Sequence, residues 1–284
     1  MKILVPIDFS ADAFEALRYA ITLARQWNTV KQDSPELFIF HAFHLPVGGD
    51  ATFFIDNAML EREELHVQNK MQSVINKLPE IQALPYQLIT RMAMPAEGIR
   101  QVVKDEKIQL VVMGNHGMDD PLSNWLGNTT LQMMKHLHCP VLAVPQSTAT
   151  LHPKQVGFAT DLENAGESFS LSLFKELLQI WRADLHIIHV HPKPSKIGVA
   201  QAEEALSLDH IFHDVPHTYD FPEDKDPAQG ISHYLQEHKL DLLAITPRKH
   251  NALENLFHKS VCKYLASHTT VPLISLPNNN SHEN

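Results

Sequence analysis

The feature that most constrains this chain is that it repeats itself once. A shift of 132 residues lays Pro95-Ala96-Glu97-Gly98-Ile99 on Pro227-Ala228-Gln229-Gly230-Ile231, with four identities in five positions. Without a gap, the same shift superposes Ile108 to Met113 on Leu240 to Ile245, Trp125 on Phe257, Pro140 on Pro272 and Pro145 on Pro277. Upstream the offset becomes 153 for Asp8 and Asp161, and 148 for Phe38-Ile39-Phe40-His41 and His186-Ile187-Ile188-His189. Landmarks in one order with changing offsets describe two copies of one unit whose loops differ in length. The copies span 1–146 and 154–277, joined by the polar stretch Gln146 to Pro153; residues 278–284 carry no apolar side chain and are expected to be disordered.

Each copy alternates short apolar runs with longer helical stretches. In the first copy the strands are Lys2 to Ile7, Leu37 to Ala42, Tyr86 to Thr90, Gln109 to Met113 and Val141 to Val144. The helices follow Ser10 and cover Met59 to Leu78, Ala96 to Glu106 and Gly127 to Leu137. Ala13, Leu17, Ala20 and Ala24 recur on one helical face behind a Ser10 cap. The second copy repeats the series, its last helix being expected over Leu253 to Ser267. Runs such as Leu110-Val111-Val112-Met113 are apolar on both faces, as strands covered by helices on both sides must be. The expected fold is α/β: two tandem doubly wound domains, each with a five-stranded parallel sheet.

Composition removes several functions. Twenty-three Lys and Arg against 33 Asp and Glu give a formal charge of -10, the wrong sign for a chain that lives on nucleic acid or a membrane surface. Two cysteines, Cys139 and Cys262, form no metal or disulfide framework and fit a reducing compartment. Asp8 cuts the first apolar run too short for a signal peptide, and no run is long enough to span a membrane, so a cytoplasmic location is expected. No nucleophile elbow, zinc-protease motif or catalytic triad is visible, and no catalytic residue is assigned.

Ligands of doubly wound sheets gather beyond the C-terminal strand ends, where strand order reverses. Three of the ten glycines, Gly114, Gly117 and Gly127, fall in one fourteen-residue window that begins at such a strand end. Glycines let backbone approach an anion, and the amides that open the next helix point outward with its positive dipole end.

Pro6-Ile7-Asp8-Phe9-Ser10, His41-Ala42, Val112-Met113-Gly114-Asn115-His116-Gly117 and Cys139-Pro140-Val141-Leu142-Ala143-Val144-Pro145 together resemble the universal stress protein family, here in tandem two-domain form. The resemblance implies strand order 3-2-1-4-5 and, through G-x2-G-x9-G-(S/T), ATP or a related adenine nucleotide with its Mg2+. Pro6 and Asp8 would border the adenosine, and Ala42 would meet the adenine edge. Met113 and Gly114 would line the pocket, while Gly117, Gly127, Asn128 and Thr129 would hold ribose and phosphates. Asn128 departs from the family's Ser or Thr, and Asp119 and Asp120 put negative charge in the spacer. The resemblance also implies pairing of the two domains through their fifth strands, and a homodimer is a further expectation. In the second copy Thr246-Pro247-Arg248-Lys249 and Lys259-Ser260 replace the glycine loop, and a structural role is expected there. The competing reading is a scaffold that binds no nucleotide.

Nineteen histidines invite a metal reading, but His186, His189 and His191, His210, His213 and His217, and His136 with His138 supply pairs rather than the three or four convergent ligands of a zinc site. No metal site is assigned. His41 and His189, equivalent in the two copies, are expected to be hydrogen-bonded histidines that fix loops at strand ends.

Overall fold

The computed structural model describes residues 1–44, 57–115, 127–146, 148, 150–162, 169–191, 198–246 and 271–277. The first copy runs β1 (Lys2–Pro6), α1 (Ala11–Lys31), β2 (Glu36–Phe43), α2 (Asn57–Asn76), a 3-10 turn (Pro79–Ala83), β3 (Tyr86–Met92), α3 (Pro95–Glu106), β4 (Leu110–Gly114), α4 (Asn128–His136) and β5 (Val141–Val144). The second continues with β6 (Gln155–Ala159), α5 (Phe169–Trp181), β7 (Asp184–Ile188), α6 (Val199–Phe212), β8 (His217–Asp220), α7 (Pro227–Glu237), β9 (Leu242–Ile245) and β10 (Leu273–Ser275). The helix expected over Leu253 to Ser267 and the tail 278–284 lie outside the described residues.

The strands form one ten-stranded sheet of order β3-β2-β1-β4-β5-β10-β9-β6-β7-β8. Each copy therefore has the order 3-2-1-4-5, with parallel pairing inside it. The sequence of strands is a palindrome about the junction of β5 and β10, which pair antiparallel with Val141 opposite Ser275, Leu142 opposite Ile274 and Ala143 opposite Leu273. Two like units related by a two-fold axis must meet antiparallel in this way, and the pairing removes both short strands as free edges.

Helices cover both faces of the sheet. One core holds α1, α2, α5 and α6 against Ile3, Val5, Ile39, Val112, Phe158 and Ile187; the other holds α3, α4 and α7 against Leu4, Phe38, Val111, Met113 and Leu243. Both cores contain residues of both copies, and α1 reaches α5 directly through a Lys31–Glu176 ion pair of 3.1 Å.

The shared Pro-Ala-x-Gly-Ile pentapeptide has a packing reason. Proline opens α3 and α7 at the first helical positions, where its missing N–H costs nothing. A Cβ on Gly98 would lie 2.6 Å from Phe40 Cζ, and one on Gly230 would lie 2.7 Å from Val190 Cγ1. The glycine is thus what lets this helix lie close on the second strand of the first copy and on the chain just beyond β7 in the second.

Gly114 has a comparable duty. A Cβ there would stand 2.8 Å from the Asp12 carbonyl carbon and 2.9 Å from the Ala13 nitrogen, both backbone atoms that cannot swing aside. Gly114→Val should therefore lower stability by about 1–3 kcal/mol, the usual cost of overpacking. Urea denaturation of the two proteins measures it, and an unchanged midpoint would mean that α1 does not pack on this strand end.

Candidate functional site

Strand order puts β1 between β2 and β4, so the order reverses between β1 and β4 and the two chain segments diverge beyond their C-terminal ends. Ile7 is still tied to β2, its N–H donating to the Phe40 carbonyl at 2.8 Å. The chain then turns sharply at Phe9, whose φ of 67° is a left-handed value costly for a non-glycine residue. Hydrogen bonds hold that turn: Asp8 Oδ1 accepts from the Ser10 N–H at 3.0 Å, and Ser10 Oγ caps α1 by accepting from Ala13 N–H at 3.2 Å.

His41 braces the same turn from β2. Its Nδ1 lies 2.7 Å from the Ile7 carbonyl, and because a carbonyl only accepts, Nδ1 carries the proton. The second copy repeats the arrangement at equivalent positions: Thr160 N–H donates to the Ile188 carbonyl, His189 Nδ1 donates to the Thr160 carbonyl at 3.0 Å, and Leu162 takes a φ of 54°. The strand-end histidines are thus loop-fixing in both copies.

Across the crevice, β4 ends in a clamp. Thr130 Oγ1 donates to the Gly114 carbonyl at 3.0 Å, Asn115 N–H to Val144 at 2.9 Å, and Gly127 N–H to the Asn115 carbonyl at 2.7 Å. One hydrogen bond thus ties Asn115 at the end of β4 to Gly127 at the start of α4. Gly127 is the N-cap of α4 and, having no side chain, cannot itself cap the first-turn amides of this helix.

Of the nine residues expected at the site, Pro6, Asp8, Ala42, Gly127 and Thr129 are half-buried and Asn128 is exposed. Met113 and Gly114 are buried, Met113 within the core and Gly114 beneath α1. They form floor rather than open wall, and close helix packing is reason enough for the glycine. Gly117, together with Asp119 and Asp120, lies outside the described residues.

Two groups escaped sequence reasoning. Thr130 is buried against Gly114, and Lys70 on α2 holds its Nζ 4.0 Å from the centroid of the Phe9 ring, which itself lies 4.6 Å from the His41 ring. The spacing of Lys70 from the strand ends carries no signal, since only the packing of α2 on the sheet brings it there.

In the second copy, Thr246 is buried at the end of β9; Pro247, Arg248, Lys249, Lys259 and Ser260 lie outside the described residues. His189 and His191 do face one side, with ring centroids 4.4 Å apart, while His191 also stacks on Phe221 at 5.7 Å. His186 turns the other way, to the Tyr234 hydroxyl at 2.9 Å and Gln155 Oε1 at 2.8 Å. His217 engages the Val215 carbonyl and Asp209 Oδ1 with its two nitrogens. Among the described residues no group of three or more His, Cys, Asp or Glu could hold a metal ion. Burial pushes the Cys139 thiol up to about 12, which leaves it an unreactive core group.

The fold defines a class: a tandem pair of doubly wound α/β domains, each reversing its strand order between its first and fourth strands. The Universal stress protein family model matches residues 1–145 and again 154–277, and the chain belongs to that family. A universal stress protein of Synechocystis is 26% identical over 153 residues, which cover 50% of this chain and 96% of the relative. A universal stress protein of Archaeoglobus fulgidus shares the whole architecture, with a TM-score of 0.65 at 15% identity over 98% of this chain and 97% of that one. A family protein of Arabidopsis thaliana solved with AMP bound covers 51% of this chain and is itself covered to 91%, at 19% identity and a TM-score of 0.34. Among the described residues no helix is long and apolar enough to cross a membrane.

His41 and His191 should make stability depend on pH. Burial lowers the His41 pKa, the bond to Ile7 opposes that shift, and Lys70 adds to it; burial and neighbouring His189 lower that of His191 against Glu223. A folded-state value below the unfolded one of about 6.5 means that the unfolded chain binds protons first, so stability is full near neutral pH and falls as pH drops through that value. A His41→Gln, His191→Gln variant should lose less melting temperature than the parent between about pH 7 and pH 5. Equal losses would show that other groups carry the acid sensitivity.

Proposed function

We propose that the first domain binds ATP or a related adenine nucleotide as a regulatory ligand, and that the second domain serves as its structural partner. The observation that carries this reading is the helix start at Gly127: α4 has no side-chain cap, and the Gly127–Asn115 hydrogen bond sets it beside the β1/β4 crevice. Such a helix end offers several backbone donors and a positive dipole to one anion. Pro6, Asp8 and Ala42 would border the adenosine above a floor of Met113 and Gly114. Gly117, Gly127, Asn128 and Thr129 would hold ribose and phosphates, with Mg2+ arriving as the counter-ion of the nucleotide.

Lys70 supports the same reading. Its ammonium over the Phe9 ring provides positive charge near the crevice of an acidic protein, where a polyphosphate needs it. The bound nucleotide would act through occupancy. The domains would remain paired through β5 and β10, so that ligand in the first can be felt by the second.

Calorimetry with ATP, and with AMP as a second probe, tests the proposal. ATP should bind saturably to the parent. Gly117→Val, Gly127→Val should abolish binding, Lys70→Gln should weaken it by about tenfold by removing a charge-assisted contact, and Lys259→Val should leave it unchanged. No heat with either nucleotide would sink the reading in favour of a scaffold that binds none, and binding that survives the double glycine change would mean the pocket lies elsewhere.

A further inference from the structure

A second concave site lies away from the strand ends, where the two domains and their connection meet. Thr22, Arg25, Gln26, Thr29 and Val30 of α1 face His152 of the connecting segment, Lys154 at the start of the second copy, and Ile180, Trp181 and Arg182 at the end of α5, around a cavity of about 530 Å³. Neither the nine crevice residues nor any carboxylate lines it. Three permanent cations and a histidine are therefore gathered, with no acid among them, in a protein whose net charge is -10.

Such a cluster repels itself unless something neutralises it. Among the described residues, neither Arg25 nor Arg182 enters an ion pair. Lys154 spends one donor of its ammonium on the Trp181 carbonyl, which leaves two. Asp241 is engaged by the backbone N–H groups of Lys154 and Gln155, at 2.7 and 3.0 Å. The cations are thus held at the cavity without being discharged by it.

Trp181, 1% exposed, gives the cavity a rigid side that does not yield to solvent. Pockets of this volume at domain junctions are usual ligand sites, and arginines are the side chains best matched to phosphate oxygens.

We infer that the α1–α5 junction is a binding site for a small phosphate-bearing anion, separate from the proposed nucleotide crevice. Arg25 and Arg182, one from each domain, would grip the phosphate oxygens with Lys154. Thr22, Thr29 and Gln26 would meet hydroxyl groups of the remainder. A ligand held by both domains would tighten their contact, which raises stability as well as binding.

The test titrates the full chain with inorganic phosphate and, separately, with glucose 6-phosphate at constant ionic strength. It follows tryptophan emission and melting temperature, with sodium chloride as the control for screening. At least one probe should bind saturably and raise the melting temperature, and the pair tells whether the phosphate group alone suffices. Arg25→Gln, Arg182→Gln should weaken that binding by tenfold or more; both side chains are exposed and unpaired, so the variant keeps the parent's circular dichroism and its ATP affinity. Gly127→Val should leave phosphate binding intact, which separates this site from the crevice. No saturable response to either probe up to about 10 mM, where even a millimolar site would be mostly filled, would overturn the inference. So would a response that the arginine changes leave untouched.

Discussion

The antiparallel contact of β5 with β10 is the constraint on which the rest of this structure depends. Each strand is short and wholly buried, with three ladder positions shared between them. Alone, either would leave an apolar edge with unmet backbone groups at the boundary of a five-stranded sheet. Joined, they make one continuous sheet whose two cores run through both copies, and they bring α1 against α5. The duplication has thus placed inside one chain an association that separate subunits would have to form by collision.

Within each copy the geometry of the strand ends is held by small, repeated devices. A histidine on the second strand donates to the carbonyl at the end of the first, and the chain turns through a left-handed non-glycine residue immediately afterwards. The two copies differ in what surrounds this shared turn. In the first, Phe9 is flanked by His41 and by the Lys70 ammonium; in the second, His189 packs on His191, which stacks on Phe221. Among the described residues, the first turn thus has a cation beside it and the second a set of rings.

Much of the fold was legible because it depends on local pattern. β5 was read residue for residue, and β3 and α4 were read in place with ends that differ by one or two residues, since apolar runs and caps act over a few positions. The equivalence of His41 with His189 was legible from the repeat, and the bond each makes follows from their place at a strand end. The candidate site was legible only in part. Gly114 looks in sequence like a cradle for an anion, whereas its missing Cβ makes room for the backbone of α1. No local pattern distinguishes those two uses of a glycine, because the neighbour that decides between them is about a hundred residues away.

The sequence by itself determined the duplication, the order of strands and helices, the strand-end location of the glycine window and the overall negative charge, because each is written in nearest-neighbour pattern or composition. Tertiary structure alone decided that Lys70 stands over Phe9, that Thr130 locks Gly114, and that Arg25, Lys154 and Arg182 surround one cavity. Those residues come from separate helices and a connection, and their meeting depends on how two helical layers close over a twisted sheet. Contacts of that kind are fixed by packing across long stretches of chain, and no spacing along the chain records them.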